Sequence, residues 1–181
     1  IAYFIRHLKK EKINIGCCCV NHHLRAAAGK EAEFVESVCR EWNIPFILKE
    51  VDVQSAVRNG GSIETAARDL RYKALREAAR GGGYAKIAVA HHGDDQAETV
   101  LYHLLRGSGV TGLSGMKPIN GDIIRPFLCV SKNEIKDFLK DFSYVPCHDE
   151  SNDVEDAVRN RIRLSLVPEL ISYNPPFHIE S

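Results

Sequence analysis

The sequence predicts an α/β fold, a parallel sheet with helices on both faces. Segments with strand-like and helix-like patterns alternate through most of the 181 residues, and such alternation is typical of parallel sheets. With 44% hydrophobic and 27% charged residues, the chain can bury an ordinary core. We expect a main domain over residues 1–145 and a helical extension over residues 146–181.

In the first half of the chain, apolar residues at helical period predict each helix, and short continuous apolar runs predict each strand. Pro45 and the glycines at 81–83 end the helices before them. The predicted elements are a helix from Ile1, a strand over 13–20, a helix over 29–42, a strand over 46–53 and a helix from Ser62 to about Arg80.

In the second half, Ser131 and Glu134 have the spacing of a capping box, which predicts the start of a helix. Pro168 predicts a kink or break in the last helix. The predicted elements are a strand over 86–90, a helix from about Asp94, a glycine-rich loop over 107–115, a strand over 123–128, a helix over 131–142 and a helix over 155–171.

Charge and cysteine usage limit the function classes. The 24 basic and 24 acidic residues balance, so overall charge does not indicate a nucleic-acid partner. The six cysteines form no Cys-x-x-Cys pair, which disfavours a zinc site and favours reduced thiols in a cytoplasmic protein. No apolar run approaches the roughly 18 residues that span a bilayer, so we expect no membrane partner.

Polar residues crowd into the turn between the strand at 86–90 and the next helix: His91, His92, Asp94, Asp95 and Glu98. Ligands of α/β proteins bind at the carboxyl ends of strands. Asp95 and Glu98 share a helix face, and could hold Mg²⁺ through its waters or grip a substrate ammonium. One acidic residue in a first turn needs no function, because it complements the helix dipole. The crowding of all five favours a functional site.

Two arginine groups are candidates for anion binding. Arg68 and Arg71 lie at i, i+3 and could clamp a phosphate, although a solvated face with Asp69 and Glu64 as partners is favoured by spacing alone. Arginines at 159, 161 and 163 could contact RNA phosphates or an anionic reaction centre, and such a charge run is also typical of a solvated face.

Gly107 and Gly109 lie in the glycine-rich loop, where a backbone could approach a ligand closely. The pattern matches neither the P-loop nor the dinucleotide fingerprint, and a flexible connection is an equal alternative.

In this order, the motifs resemble the tRNA(Ile)-lysidine synthetase family of the PP-loop ATP pyrophosphatase superfamily, whose fold is Rossmann-like. The resemblance covers most of the chain. Its most specific parts are the motifs at 90–99, 106–109, 149–153 and 159–163. It implies an enzyme that uses ATP to adenylate the C2 oxygen of the wobble cytidine, after which the lysine ε-amine attacks C2, AMP leaves and lysidine results.

The resemblance also implies roles for single residues. Asp95 and Glu98 are similar to the lysine-binding carboxylates, and Arg163 to their partner at the reaction centre. Arg71 is expected to contact ATP or the intermediate and to act in catalysis. The expected nucleotide contacts are His91, His92, Arg68, Arg71, Gly107 and Gly109, and Asp94 is the expected Mg²⁺ ligand. The expected partners are tRNA(Ile) with a CAU anticodon, L-lysine and a second copy of the chain.

One motif of the family is not found in the sequence. The Ser-Gly-Gly-x-Asp-Ser loop that holds the ATP phosphates is expected just before Ile1, in residues truncated from this chain. Two alternatives stay open. A tRNA thiolase of the same superfamily commonly needs a Cys-x-x-Cys pair or an iron–sulfur cluster, and a non-catalytic fragment would only bind RNA or a partner through its arginines.

Overall fold

The computed structural model describes residues 13–24, 28–57, 62–141 and 158–173. The chain forms two compact units, and the boundary between them falls after Ile87. The predicted first helix and the predicted loop at 149–153 lie outside the described residues. The division expected near residue 145 also falls there and stays a prediction.

The first unit contains two parallel strands and three helices in the described residues. They are β1 (Cys17–Asn21), α1 (Ala28–Glu41), β2 (Phe46–Glu50), α2 (Val53–Val57) and α3 (Ile63–Gly81). β1 and β2 pair in parallel, in a register that runs from Cys17 opposite Phe46 to Asn21 opposite Glu50. Cys39 of α1 and Val53 of α2 are completely or almost completely buried, at 0% and 1% exposure. Side chains that occupy helical period in the sequence therefore contribute to this core.

From Ile87 onward, at the boundary and in the second unit, the described residues contain a small sheet and six helical segments. They are β3 (Ile87–Ala88), α4 (Gly93–Leu105), α5 (Val110–Leu113), β4 (Ile119–Asn120), β5 (Ile123–Ile124), α6 (Lys132–Leu139), and a final helix made of α7 (Val158–Arg161), a π segment (Ile162–Leu166) and α8 (Val167–Tyr173). The sheet order is β3-β5-β4, and β4 and β5 form an antiparallel hairpin. His92 makes an isolated parallel bridge with Phe127.

The α/β prediction is confirmed, and several boundaries are corrected. The strand predicted over 46–53 ends at Glu50, because Asp52 caps α2 by accepting the Ser55 amide at 2.9 Å. The strands predicted over 13–20, 86–90 and 123–128 are shorter or shifted, and span 17–21, 87–88 and 123–124. The hairpin strand β4 and the short helix α5, inside the glycine-rich loop, were not predicted.

The starts of two predicted helices differ in their capping. The capping box is confirmed, since Ser131 Oγ accepts the Glu134 amide at 3.2 Å and Glu134 Oε2 accepts the Ser131 amide at 2.7 Å. Ser62 is the N-cap of α3, but its side chain makes no capping hydrogen bond. None of the described helices is long and apolar enough to cross a membrane.

Candidate active site

α4 begins shortly after β3, and its first turn is fixed by its own acidic residues. Asp95 Oδ2 accepts the backbone amide of His92 at 3.0 Å, so Asp95 caps the helix that carries it. Gly93 donates its amide to the Val130 carbonyl at 2.7 Å, and a Cβ on Gly93 would lie 3.1 Å from that oxygen. Glycine therefore permits the close approach that places the acidic turn.

The structure brings Asp95, Glu98 and Arg163 together. Arg163 Nε donates to Glu98 Oε1 at 2.6 Å, and its Nη2 donates to Glu98 Oε2 at 2.9 Å. The same Nη2 lies 3.7 Å from Asp95 Oδ1. Glu98 is only 6% exposed. The fork of a guanidinium matches the two oxygens of a carboxylate, so the Glu98–Arg163 pair is geometrically well defined.

The charge of this cluster favours a cation. The hydrogen bond with Glu98 raises the pKa of Arg163; burial lowers it, and the charges of Glu98, Asp95 and Asp94 add to the rise. Arg163 is thus a permanent cation, and with Asp95 and Glu98 ionised the three groups carry a net charge of about −1. The Asp95 side chain is 24% exposed and that of Glu98 is 8% exposed. Asp95 is therefore the carboxylate that an added ammonium group reaches more readily.

A π segment carries Arg163 to this cluster. Residues 162–166 form wider turns, in which the Val167 amide donates to the Ile162 carbonyl. Pro168 follows at once and has no amide hydrogen to donate to the turn before it. The predicted break at Pro168 is absent, since the helix continues to Tyr173, and a π segment lies on the N-terminal side of Pro168 instead. Such segments often occur at functional sites.

His92 and Asp94 lie beside the cluster. His92 Nδ1 is 3.3 Å from Asp94 Oδ2, and His92 Nε2 is 3.4 Å from Asp95 Oδ2. Asp94 Oδ2 also accepts the Lys132 amide at 2.7 Å, which links α4 to α6. His91 is half-buried. No group of three His, Cys, Asp or Glu side chains in the described part of the chain could hold a metal ion. Asp94 as a single Mg²⁺ ligand stays a prediction.

Arg68 and Arg71 lie in the first unit, on α3. Their guanidinium carbons are 5.1 and 5.4 Å from the centre of the Tyr72 ring, and that of Arg76 is at 5.9 Å. These distances are within the range of cation–π contacts. The Tyr72 hydroxyl is buried and has no hydrogen-bond partner among the described residues. The two arginines therefore lie near an aromatic ring, and Asp69 and Glu64 as their partners stay a prediction.

His22 follows β1 in the first unit. Its Nε2 lies 3.2 Å from the Ala67 carbonyl oxygen on α3. Burial lowers the pKa of His22, the backbone hydrogen bond opposes this change, and the charge of Arg71 lowers the pKa further. His22 is thus kept largely neutral next to a cationic helix face. The pattern of polar residues at this strand end did not by itself indicate that contact.

Gly107 and Gly109 lie between α4 and α5. Gly107 has a φ of +70° and donates its amide to the Leu104 carbonyl at 3.0 Å. Gly109 is the N-cap of the four-residue α5. The left-handed backbone explains Gly107 without a ligand, and nucleotide binding by the loop stays a prediction.

A cavity of about 700 Å³ lies on another side of α4, within the second unit. Gly93, Asp94, Gln96 and Ala97 of α4 line it, whereas Asp95, Glu98 and Arg163 do not. Gln96 closes one wall, since its Nε2 donates to the Met116 carbonyl at 3.2 Å and its Oε1 accepts the Met116 amide at 2.7 Å. Sequence reasoning missed this clamp, because a glutamine on a helix carries no signal of its distant partner.

Comparison with known proteins identifies the family. The sequence pattern of the PP-loop domain matches residues 1–170. The chain belongs to the PP-loop domain family. The tRNA(Ile)-lysidine synthase of Caldanaerobacter subterraneus is 45% identical to this PP-loop domain over 151 residues, which is 82% of the chain and 32% of that protein. The enzyme of the same name from Thermotoga maritima is 39% identical over 165 residues, 91% of the chain and 40% of that protein. The chain thus spans about a third to two fifths of these relatives.

A solved structure supports the fold of this PP-loop domain. The U34-tRNA thiolase of Methanococcus maripaludis, with its [4Fe-4S] cluster, matches with a TM-score of 0.70. The match covers 97% of the chain and 62% of the thiolase at 17% sequence identity. At that identity the likeness shows the fold alone.

Proposed function

We propose that this PP-loop domain is the catalytic domain of a cytoplasmic tRNA-modifying ligase. The reaction joins L-lysine to C2 of the wobble cytidine of tRNA(Ile) and consumes ATP. The C2 oxygen attacks the α-phosphorus of ATP, and pyrophosphate leaves. The lysine ε-amine then attacks C2, the C2–oxygen bond breaks, AMP leaves and the amine loses its proton. The relatives that share 39–45% identity support the proposal through their name.

The observation that carries the proposal is the negatively charged cluster at the start of α4. A lysine ammonium needs carboxylate oxygens, and of the two carboxylates beside Arg163, Asp95 is more exposed than Glu98. Glu98 is occupied by two short hydrogen bonds from Arg163. We therefore propose that Asp95 binds the lysine side chain and Glu98 holds Arg163 in place, with a smaller direct contribution to the lysine.

Arg163 supplies positive charge for the step in which AMP leaves. Negative charge develops on the departing AMP, and a fixed guanidinium stabilises such charge without reorganising in the transition state. Arg163 is anchored by Glu98 and remains 30% exposed, so it retains surface for a substrate. In the first unit, Arg68 and Arg71 are proposed contacts for ATP, since their guanidinium carbons lie 5.1 and 5.4 Å from the centre of the same Tyr72 ring. His91 and His92 are proposed to line the nucleotide site.

ATP is used as its magnesium complex in most phosphate-transfer sites, where one or two carboxylates and the phosphates hold the ion. Asp94 fits the role of one such ligand, since its carboxylate is 45% exposed. Mg²⁺ would neutralise phosphate charge when bound.

The test uses the full-length protein that contains this domain. It is incubated with a tRNA(Ile) transcript that has a CAU anticodon, with ATP and with labelled lysine. We expect lysine to enter the RNA with one AMP formed for each lysine, and none without ATP. Nuclease digestion and mass spectrometry would locate the added mass at the wobble cytidine. ATP-dependent incorporation of sulfur, or tRNA binding without AMP formation, would overturn the proposal in favour of a thiolase or a non-catalytic RNA-binding protein.

The role of Asp95 has its own matched comparison. Asp95→Asn should raise the KM for lysine by about 10- to 100-fold, because a charge-assisted hydrogen bond contributes about 1.5–3 kcal/mol. Asp137→Asn removes an exposed carboxylate of α6 that pairs with Lys140 at 2.6 Å, and should leave the KM unchanged. Equal lysine KM values for wild type and Asp95→Asn would remove Asp95 from the lysine site.

A further inference from the structure

Beyond the carboxylate cluster, two exposed arginines lie around one aromatic ring of α4. The guanidinium carbon of Arg106, at the end of α4, lies 5.4 Å from the centre of the Tyr102 ring, and that of Arg159 on α7 lies 5.3 Å from it. Arg106 Nη1 also donates to the Tyr102 hydroxyl at 2.6 Å. Both arginines are exposed and Tyr102 is half-buried. We call these three residues the arginine strip.

The arginine strip continues directly from the Glu98–Arg163 pair. On α4, Glu98, Tyr102 and Arg106 follow one another at intervals of four residues, so they lie along one helix face. On the facing helix, Arg159 precedes Arg163 by four residues. Glu98 pairs with Arg163, and one turn further along Tyr102 pairs with Arg159. One helical turn advances about 5.4 Å along the axis. An RNA strand in contact with Arg163 would therefore reach the arginine strip within a few nucleotides.

We propose that the arginine strip binds backbone phosphates of the RNA strand that flanks the modified nucleotide. This proposal rests on the proposed function, because it takes the Asp95 cluster as the place where that nucleotide reacts. Within the described residues Arg106 has no carboxylate partner, and it contacts the ring and the hydroxyl of Tyr102. The other donors of each exposed guanidinium match the paired oxygens of a phosphate.

A surface for single-stranded RNA commonly combines arginines with aromatic rings, and this strip has both. Arg106 differs in this respect from the exposed Arg40, which pairs with Glu36 at 3.2 Å, as is usual for a solvated helix face. The convergence of two arginines on Tyr102 therefore differs from the solvated charge run that the sequence alone favours.

The test compares charge-matched variants of the full-length protein. Arg106→Gln and Arg159→Gln are made singly and together, and Arg40→Gln with Lys140→Gln removes the same charge from exposed ion pairs elsewhere. The probe is a fluorescent anticodon stem-loop RNA with a CAU anticodon, and its Kd is measured by anisotropy over a series of salt concentrations. Thermal unfolding checks that every variant folds.

We expect the double variant to raise the Kd about tenfold, and the slope of log Kd against log salt to fall by about 0.7 for each phosphate that the variant no longer neutralises. The KM for lysine should keep its wild-type value, because the Asp95 cluster is untouched. Tyr102→Leu should weaken RNA binding by a similar factor, since both arginines lose their support, whereas Tyr102→Phe keeps the ring and should have a small effect.

The outcomes separate this proposal from the proposed function. If the double variant binds the stem-loop as tightly as wild type, with an unchanged salt slope, the arginine strip does not contact RNA, whether or not lysidine forms. If wild type binds the stem-loop but forms no lysidine, the proposed function fails. The Kd of the double variant for the stem-loop then decides whether the arginine strip contacts RNA. If the charge-matched control raises the Kd by the same factor, the effect comes from net charge alone and the proposal is overturned.

Discussion

Replacing Glu98 with glutamine removes the charge that faces Arg163 without changing the size of the side chain. Breaking a buried ion pair at one partner costs about 3–5 kcal/mol, because the other charge stays buried. Arg163 is 30% exposed and keeps Asp95 Oδ1 at 3.7 Å, so the cost is smaller here, about 2 kcal/mol. For a domain of this size, that corresponds to a fall in Tm of about 4–8 °C. Scanning calorimetry of the full-length protein at pH 7 measures this fall in Tm.

The control for this experiment is Glu36→Gln. Glu36 pairs with Arg40 across one turn of α1, with side-chain exposures of 47% and 78%. Exposed pairs of this kind contribute about 0.3–0.5 kcal/mol, so the Tm should move by no more than about 2 °C. A fall for Glu98→Gln no larger than that of Glu36→Gln would refute the reasoning. Adding Arg163→Gln gives a double-mutant cycle, and the two changes together should cost less than their sum.

Three further predictions concern the backbone, the cysteines and pH. Gly115→Ala should destabilise the fold by about 2–3 kcal/mol in urea unfolding, because φ is +64° and a Cβ would lie 2.6 Å from the side-chain amide of Gln96. The control is Gly121→Ala, where φ is +62° and the space around a Cβ is open. It should cost only the backbone strain, about 1–2 kcal/mol. Native alkylation at pH 8, read by peptide mass spectrometry, should modify exposed Cys129 and spare Cys17, whose pKa burial raises to about 12; equal labelling would contradict this. Because burial lowers the pKa of His22, its folded form favours the neutral ring, and stability should fall as pH drops below about 6.5; His22→Gln should flatten the Tm profile between pH 7 and 5, and an unaltered profile would count against it.

Sequence periodicity predicted the long helices of this chain well and its short elements poorly. α1 and α3 lie within one or two residues of their predicted bounds, because each repeats its apolar face over several turns. α2, with five residues, is set by the Asp52 cap and by burial of Val53, and neither leaves a periodic pattern. The hairpin of β4 and β5 is two residues long on each side, which is too short for alternation to be recognised.

The candidate site was predictable in its residues and not in its division of roles. The spacing of Asp95 and Glu98 places both on one face of α4 whatever the tertiary structure, so the sequence suffices to pair them. Which carboxylate is buried depends on Arg163, 65 residues away in the chain, and the π segment before Pro168 carries that arginine. The i, i+4 spacing of Arg159 and Arg163 places them on one helix face, but it does not specify that this face meets α4. The contact that separates the two carboxylates is therefore tertiary: Arg163 donates two hydrogen bonds to Glu98 and lies 3.7 Å from Asp95.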